Sequence, residues 1–339
     1  MRKIFNAKTI QTVHLSTVVF ALVVVGLGAF TRLENAGLGC PDWPKCYQNW
    51  IVHPRITTPA LTHDASYKAW IEMIHRYAAG LLCMGIFYLN MWQNRSNSMI
   101  LRITAVCTCL QAAFGMWTVT WKLHPLAVMP HLMGGMMITT LLTVDYFQRY
   151  ASQNNTQLIP KSIHRYLHLL FIVVWLQIML GGWTSANYAA LVCPDFPLCQ
   201  GQWTVPIQHF IQGFSAPFGF QNYEGGVLSG QGRIAIHVSH RMGALICCVI
   251  VGLLIHQVAY YRNKLPQELI QMTGQLSILF ALQIILGVLN VVWTLPISTA
   301  LMHNLIALAL LIRVVTMCTN YSAQSPPQTI HRQLSFHAD

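Results

Sequence analysis

Acidic residues are scarce in this chain: nine Asp and Glu stand among 339 residues, and charged residues of both signs make up only 9%. A soluble globular domain carries about 25% charged residues, so a water-facing surface of ordinary size is excluded. No small-residue cleavage site precedes Arg32, so the first apolar run reads as a retained helix rather than a removable signal. The cysteines show no Cys-x2-Cys knuckle, which argues against a zinc ribbon. What fills the chain instead is apolar: 54% of its residues are hydrophobic.

Apolar stretches of roughly 20 residues, enough to cross ~30 Å of hydrocarbon, recur at Val13–Phe30, Trp70–Trp92, Ile100–Thr120, Val128–Phe147, Leu167–Ala186, Ile234–Tyr260, Leu269–Trp293 and Thr299–Cys318. An all-α integral membrane protein of eight transmembrane helices is expected. The formal charge of +11 would suggest nucleic acid in a soluble protein, but its placement points to a membrane instead. Arg2, Lys3, Lys8, Arg95, Arg102, Arg149, Lys161, Arg165, Arg262, Lys264 and Arg332 outnumber Arg32, Lys45, Arg55, Lys68, Lys122 and Arg233 on the opposite side. The positive-inside rule then puts both termini in the cytoplasm and the long loops Thr31–Ala69 and Asn187–Arg233 outside.

Each outer loop carries the same signature, Cys40-Pro41-Asp42-Trp43-Pro44-Lys45-Cys46 and Cys193-Pro194-Asp195-Phe196-Pro197-Leu198-Cys199, 153 positions apart. An oxidising compartment and a five-residue spacer permit a disulfide in each, structural or redox-active. The six helical cysteines read as packing. The repeat extends further: Leu110–His131 aligns without a gap to Leu282–His303, and Glu72-x-x-His75-Arg76 to His237-x-x-His240-Arg241. An even number of helices per copy predicts two parallel, pseudo-symmetric four-helix bundles, 1–152 and 153–339, with Ser152–Pro160 as linker.

His75, His131, His240 and His303 all fall near the outer ends of even-numbered spans, at one depth. A pair of imidazoles per bundle is what a haem iron needs on its two faces, whereas a tetrahedral zinc or a facial iron triad would lack ligands. Arg76 and Arg241 are placed to meet haem propionates. Gly80, Gly134, Gly135, Gly181, Gly182, Gly243 and Gly287 read as helix packing, as do Gln111 and Gln283, while Trp121 and Trp293 read as packing within the outer aromatic belt. The titratable difference between halves is Glu72 against His237. A carboxylate three residues before His75 shares its helix face, where it could take a proton or stabilise positive charge on a reacting carbon.

These motifs, with Gly28-Ala29-Phe30-Thr31-Arg32 at the end of the first span, resemble the haem A synthase family over nearly the whole chain. The resemblance implies oxidation of a haem O methyl to a formyl group for cytochrome oxidase assembly. It implies that His75 and His131 contact haem O, that His240 and His303 ligate haem b, and that Glu72 is the essential acid. It further implies a redox or haem-handover role for Cys40–Cys46 and a structural one for Cys193–Cys199. The setting implied is the cytoplasmic membrane, in contact with lipid, with a haem O synthase as partner, an electron acceptor the sequence does not name, no nucleic acid, and room for an oligomer. Rival readings are a diheme b-type electron-transfer protein and a non-enzymatic haem carrier.

Overall fold

The computed structural model describes residues 7–52, 63–92, 99–150, 157–202, 204–215, 219 and 221–323. Arg2, Lys3, Arg55, Arg95, Arg332 and the first part of the linker, with the boundary at 152, lie outside the described residues. The described chain is helical: α1 Ala7–Leu33, α2 His63–Trp92, α3 Met99–Thr120, α4 Pro125–Tyr150, α5 Lys161–Ala186, α6 Ile207–Phe214, α7 Gly230–Tyr260, α8 Gln267–Val292 and α9 Ile297–Asn320.

Proline sets several helix starts. Pro160, Pro206, Pro266 and Pro296 stand in extended conformation just before α5, α6, α8 and α9; a fixed φ and a missing N–H cost nothing there. Ser229 instead caps α7, its hydroxyl accepting from the Gly232 N–H at 3.1 Å.

Seven helices (α1, α3, α4, α5, α7, α8 and α9) are long and apolar enough to cross a membrane, and a multi-pass membrane protein follows. Their outward positions are apolar: Leu15, Val19 and Val23 on α1, Leu245, Ile246 and Val249 on α7, Ile278, Leu282 and Ile285 on α8. The sequence expects an eighth span, but α2 is not among the seven; its first half carries Asp64, Lys68, Glu72 and Arg76.

The helices pack in two rings of four, α1–α2–α3–α4 and α5–α7–α8–α9, each closing on itself. α4 and α9 pack together, and the rings also join through α1 against α9 and α4 against α5. The largest core lies here, with Met133 and Met136 of α4 packed among Leu167, Leu170, Leu308, Leu311 and Val314.

Part of the predicted linker is ordered as a strand. β1 (Gln157–Ile159) pairs in parallel with β2 (Tyr321–Ala323) at the end of α9, Leu158 opposite Ser322. At the opposite end the long loop before α7 crosses onto the first ring. The Tyr223 N–H donates to the Lys122 carbonyl at 3.0 Å, and its ring lies 4.5 Å from that of His124. Arg32 donates to the Ser185 carbonyl at 2.5 Å and lies over the Tyr188 ring.

Candidate functional site

The four histidines sit on diagonal helices of the two rings. His75 of α2 faces His131 of α4 with ring centroids 6.4 Å apart. His240 of α7 faces His303 of α9 at 6.5 Å. One iron held between two imidazoles, with metal–nitrogen bonds of ~2.0 Å, requires centroids roughly 6 to 6.5 Å apart. Both pairs fit that requirement. Among the described residues no hydrogen bond reaches Nε2 of His75, His131 or His240, the nitrogen an iron would take; the ring bonds of His131 and His240 are made through Nδ1. At His303 the Gln283 amide lies 3.1 Å from Nε2 and must swing aside. Among the described residues no three His, Cys, Asp or Glu converge, and each pair offers an iron two imidazoles.

Every ring is seated against a glycine of the neighbouring helix. A Cβ built on Gly28 would lie 2.9 Å from Cε1 of His75, one on Gly115 3.1 Å from that of His131, and ones on Gly181 and Gly287 3.2 Å from those of His240 and His303. The glycines that the sequence assigns to helix packing therefore divide. Gly181 and Gly287 are imidazole seats; Gly134 and Gly243 face the amides of Gln111 and Gln177; Gly80 has no neighbour within 4 Å. The role of Gln177 was missed altogether. Its amide donates to the His240 carbonyl at 2.8 Å and lies 3.1 Å from Nδ1 of the ring. Gln111 donates in the same way to the His131 carbonyl at 2.6 Å. A signal for these contacts is present in the sequence, because Gln111-x-x-x-Gly115, Gln177-x-x-x-Gly181 and Gln283-x-x-x-Gly287 share one spacing, which puts amide and seat on one helix face.

Glu72 is buried three residues before His75 and against the Cys40–Cys46 loop, 5% exposed. Its Oε2 accepts the Cys40 main-chain N–H at 2.8 Å and its Oε1 accepts Arg76 Nη2 at 2.5 Å. Burying a carboxylate is costly unless it is paired and hydrogen-bonded, and here both oxygens have partners. At the matching place His237 is equally buried and its Nδ1 bonds the Ala189 carbonyl at 2.9 Å.

Both Cys signatures form closed loops. Cys40 is disulfide-bonded to Cys46, and Cys193 to Cys199. In the first, the Asp42 carboxylate accepts the N–H groups of Tyr47 and Gln48 at 2.7 and 2.8 Å. In the second, Asp195 accepts those of Gln200 and Gly201 at 2.6 and 2.8 Å. The Gly201 N–H first and the Gln200 N–H after it hold the Asp195 carboxyl below its ordinary range. Residues 47, 48, 200 and 201 all have positive φ, which the two bonds of each aspartate hold in place. Gly39 lets the first loop lie on α2, since a Cβ there would stand 2.5 Å from the Lys68 carbonyl carbon.

The arginines are knots for these loops. Arg76 Nη1 donates to the carbonyls of Asp42, Pro44 and Lys45 at 3.0, 3.2 and 2.8 Å. Arg241 donates to those of Cys193, Asp195, Pro197 and Leu198. Most donors expected at propionates are thus engaged by main chain, though Nε of Arg241 has no partner.

With this geometry in hand, the relatives are informative. A family model described as cytochrome oxidase assembly protein, COX15-CtaA, matches residues 11–315. A protein of Shewanella oneidensis named haem A synthase is 39% identical over 325 residues, 89% of this chain and 93% of that one. One of the same name from Wolbachia of Brugia malayi is 25% identical over 86% of this chain and 90% of its own length. Another, from Geobacillus thermodenitrificans, is 24% identical over 85% and 83%.

Proposed function

The chain belongs to the COX15-CtaA family of cytochrome oxidase assembly proteins, and from that premise we propose that it is a haem A synthase, oxidising a methyl group of haem O to the formyl group of haem A. The observation that carries the reading is the pairing of two iron-spaced imidazole sites, 6.4 and 6.5 Å between rings, with a buried carboxylate beside only one of them. His75 and His131 receive haem O as substrate. His240 and His303 hold haem b, with Arg241 Nε left as a donor for a propionate. Haem b, when bound, supplies one-electron steps.

The overall change, R–CH3 + H2O → R–CHO + 4 H⁺ + 4 e⁻, passes through the alcohol and the hydrated aldehyde, which loses water. Were His75 and His131 both to hold the substrate iron, they would leave dioxygen no place on it, and water would supply the oxygen. Glu72 takes a proton from that water as it attacks the electron-depleted carbon; Cys40 N–H and Arg76 keep the carboxylate at the outer rim. His237 offers no negative charge, and the second site serves as the relay that passes the four electrons, one at a time, to an external electron acceptor.

The bundles 1–152 and 153–339 then lie parallel in the cytoplasmic membrane, α2 as the eighth span, termini inside and Cys loops outside. Haem O arrives through lipid from a haem O synthase, because its long apolar tail moves more easily there than through water.

The test is the mass of the pigment extracted after expression with haem O. A formyl product in the wild type and in His237→Gln, lost in Glu72→Gln, supports the assignment. Unchanged haem O from the wild type, with a competent electron acceptor present, overturns it. Formyl oxygen labelled from dioxygen instead of water would sink the proposed oxygen source.

A further inference from the structure

Gly28, the seat of His75, opens the motif Gly28-Ala29-Phe30-Thr31-Arg32 that closes α1. Its last residue, Arg32, stands one turn and about 6 Å nearer the Cys loops on the same helix face. At the same step from the other three seats stand Val119, Ser185 and Val291. Arg32 is the only cation of the four.

The guanidinium of Arg32 lies 4.1 Å over the Tyr188 ring, and its Nη2 donates to the carbonyl of Ser185 at 2.5 Å, the residue that occupies its own place in the second copy. Its Nε is buried without a hydrogen-bond partner, and so is the hydroxyl of the Tyr188 ring beneath it. No ion pair among the described residues includes Arg32 or Glu34, two residues on. Arg76 and Arg241, by contrast, are engaged by the carbonyls of their Cys loops.

A partly buried charge without a counter-ion is costly, so this arrangement calls for an anion. A carboxylate suits it: it takes the planar edge of a guanidinium and accepts from a hydroxyl. A haem between His75 and His131 turns its carboxylates toward the Cys loops, since the other direction leads into apolar helix. The place is also unduplicated, because Ser185 matches Arg32 and Asn35 matches Tyr188 in the 153-residue register.

Building on the haem reading above, we infer that Arg32 and Tyr188 form the carboxylate-binding point of the first site and take one propionate of haem O. Arg32 comes from one bundle and Tyr188 from the other, so the first site is incomplete without the second bundle.

The experiment titrates the full-length protein, loaded with haem b, with haem O and with its dimethyl ester, in which the propionates are blocked, and follows the absorbance change that His75→Ala removes. The wild type prefers the free acid. Arg32→Gln lowers that preference about ten- to hundredfold, the loss expected of a hydrogen bond to a charged group, and leaves the Kd of the ester unchanged. Tyr188→Phe keeps the ring under the guanidinium and lowers the preference about two- to tenfold; it serves where Arg32→Gln fails to fold. Full preference for the acid in either variant overturns the inference, including the case in which Arg32→Gln loses only a bound anionic lipid. Loss of haem b from Arg32→Gln with the acid preference intact assigns Arg32 to the second site and overturns it equally. A wild type with no titration signal dependent on His75 would instead overturn the assignment of the first site on which the inference rests.

Discussion

The main-chain N–H of Cys40 donates to Oε2 of Glu72 at 2.8 Å, so the first disulfide loop and the acid of the first site are one structural unit. Hydrogen bonds to a charged group contribute about 1.5–3 kcal/mol. Cys40→Ser with Cys46→Ser loosens that donor and lowers product formation per haem-loaded molecule roughly tenfold. The same change at Cys193 and Cys199 touches no carboxylate on α7; it costs stability and leaves turnover per folded molecule nearly unchanged. Product yield normalised to bound haem separates the two, and equal losses would count against the link.

The glycine seats make a graded series. Gly181→Ala and Gly287→Ala place a Cβ 3.2 Å from the Cε1 atoms of His240 and His303, turning the rings and weakening the second-site haem spectrum. Gly28→Ala, at 2.9 Å from His75, does so at the first site. Gly80→Ala, with nothing within 4 Å, leaves both spectra intact and stabilises α2 by up to ~1 kcal/mol through helix propensity. Absorbance spectra of the four purified variants decide.

Arg241→Lys keeps the charge but not the fork. One ammonium cannot reach the carbonyls of Cys193, Asp195, Pro197 and Leu198 together, so the second loop opens at a net cost of about 1–3 kcal/mol. Faster reduction of the Cys193–Cys199 bond by a small thiol is the expected readout.

Asp195 supplies a pH signature outside the membrane. Its carboxyl is held low by the N–H groups of Gly201 and Gln200, so the contribution to loop stability is fully present above the unfolded carboxylate pKa of about 3.9. It is lost only as pH falls through the lower folded value. Amide exchange at Gln200 and Gly201 therefore stays protected through ordinary carboxylate titration, and Asp195→Asn removes that low-pH transition.

Much of this arrangement was legible in the sequence. The repeated Cys loops set the register, the register aligned the four histidines, and the alignment exposed Glu72 against His237. What could not be read was contact between helices. Spacing within α3, α5 and α8 shows that Gln and Gly share a face, but which imidazole they meet depends on how each helix is rotated against its neighbour. Arg76 and Arg241 meet the same limit: a guanidinium at a membrane surface suits a propionate as well as a folded loop, and only the path of residues 40–46 and 193–199 shows which carbonyls are near. The β1–β2 pair was hidden because three-residue strands at the ends of apolar helices carry no periodicity of their own.

That small ladder has a mechanical meaning. Gln157–Ile159 and Tyr321–Ala323 run side by side, so the chain enters and leaves the α5–α9 bundle at a single point, like a loop of rope held in one clasp. A tug on Gln157–Ile159 is therefore shared with the end of α9, which packs against α5, instead of falling on α5 alone.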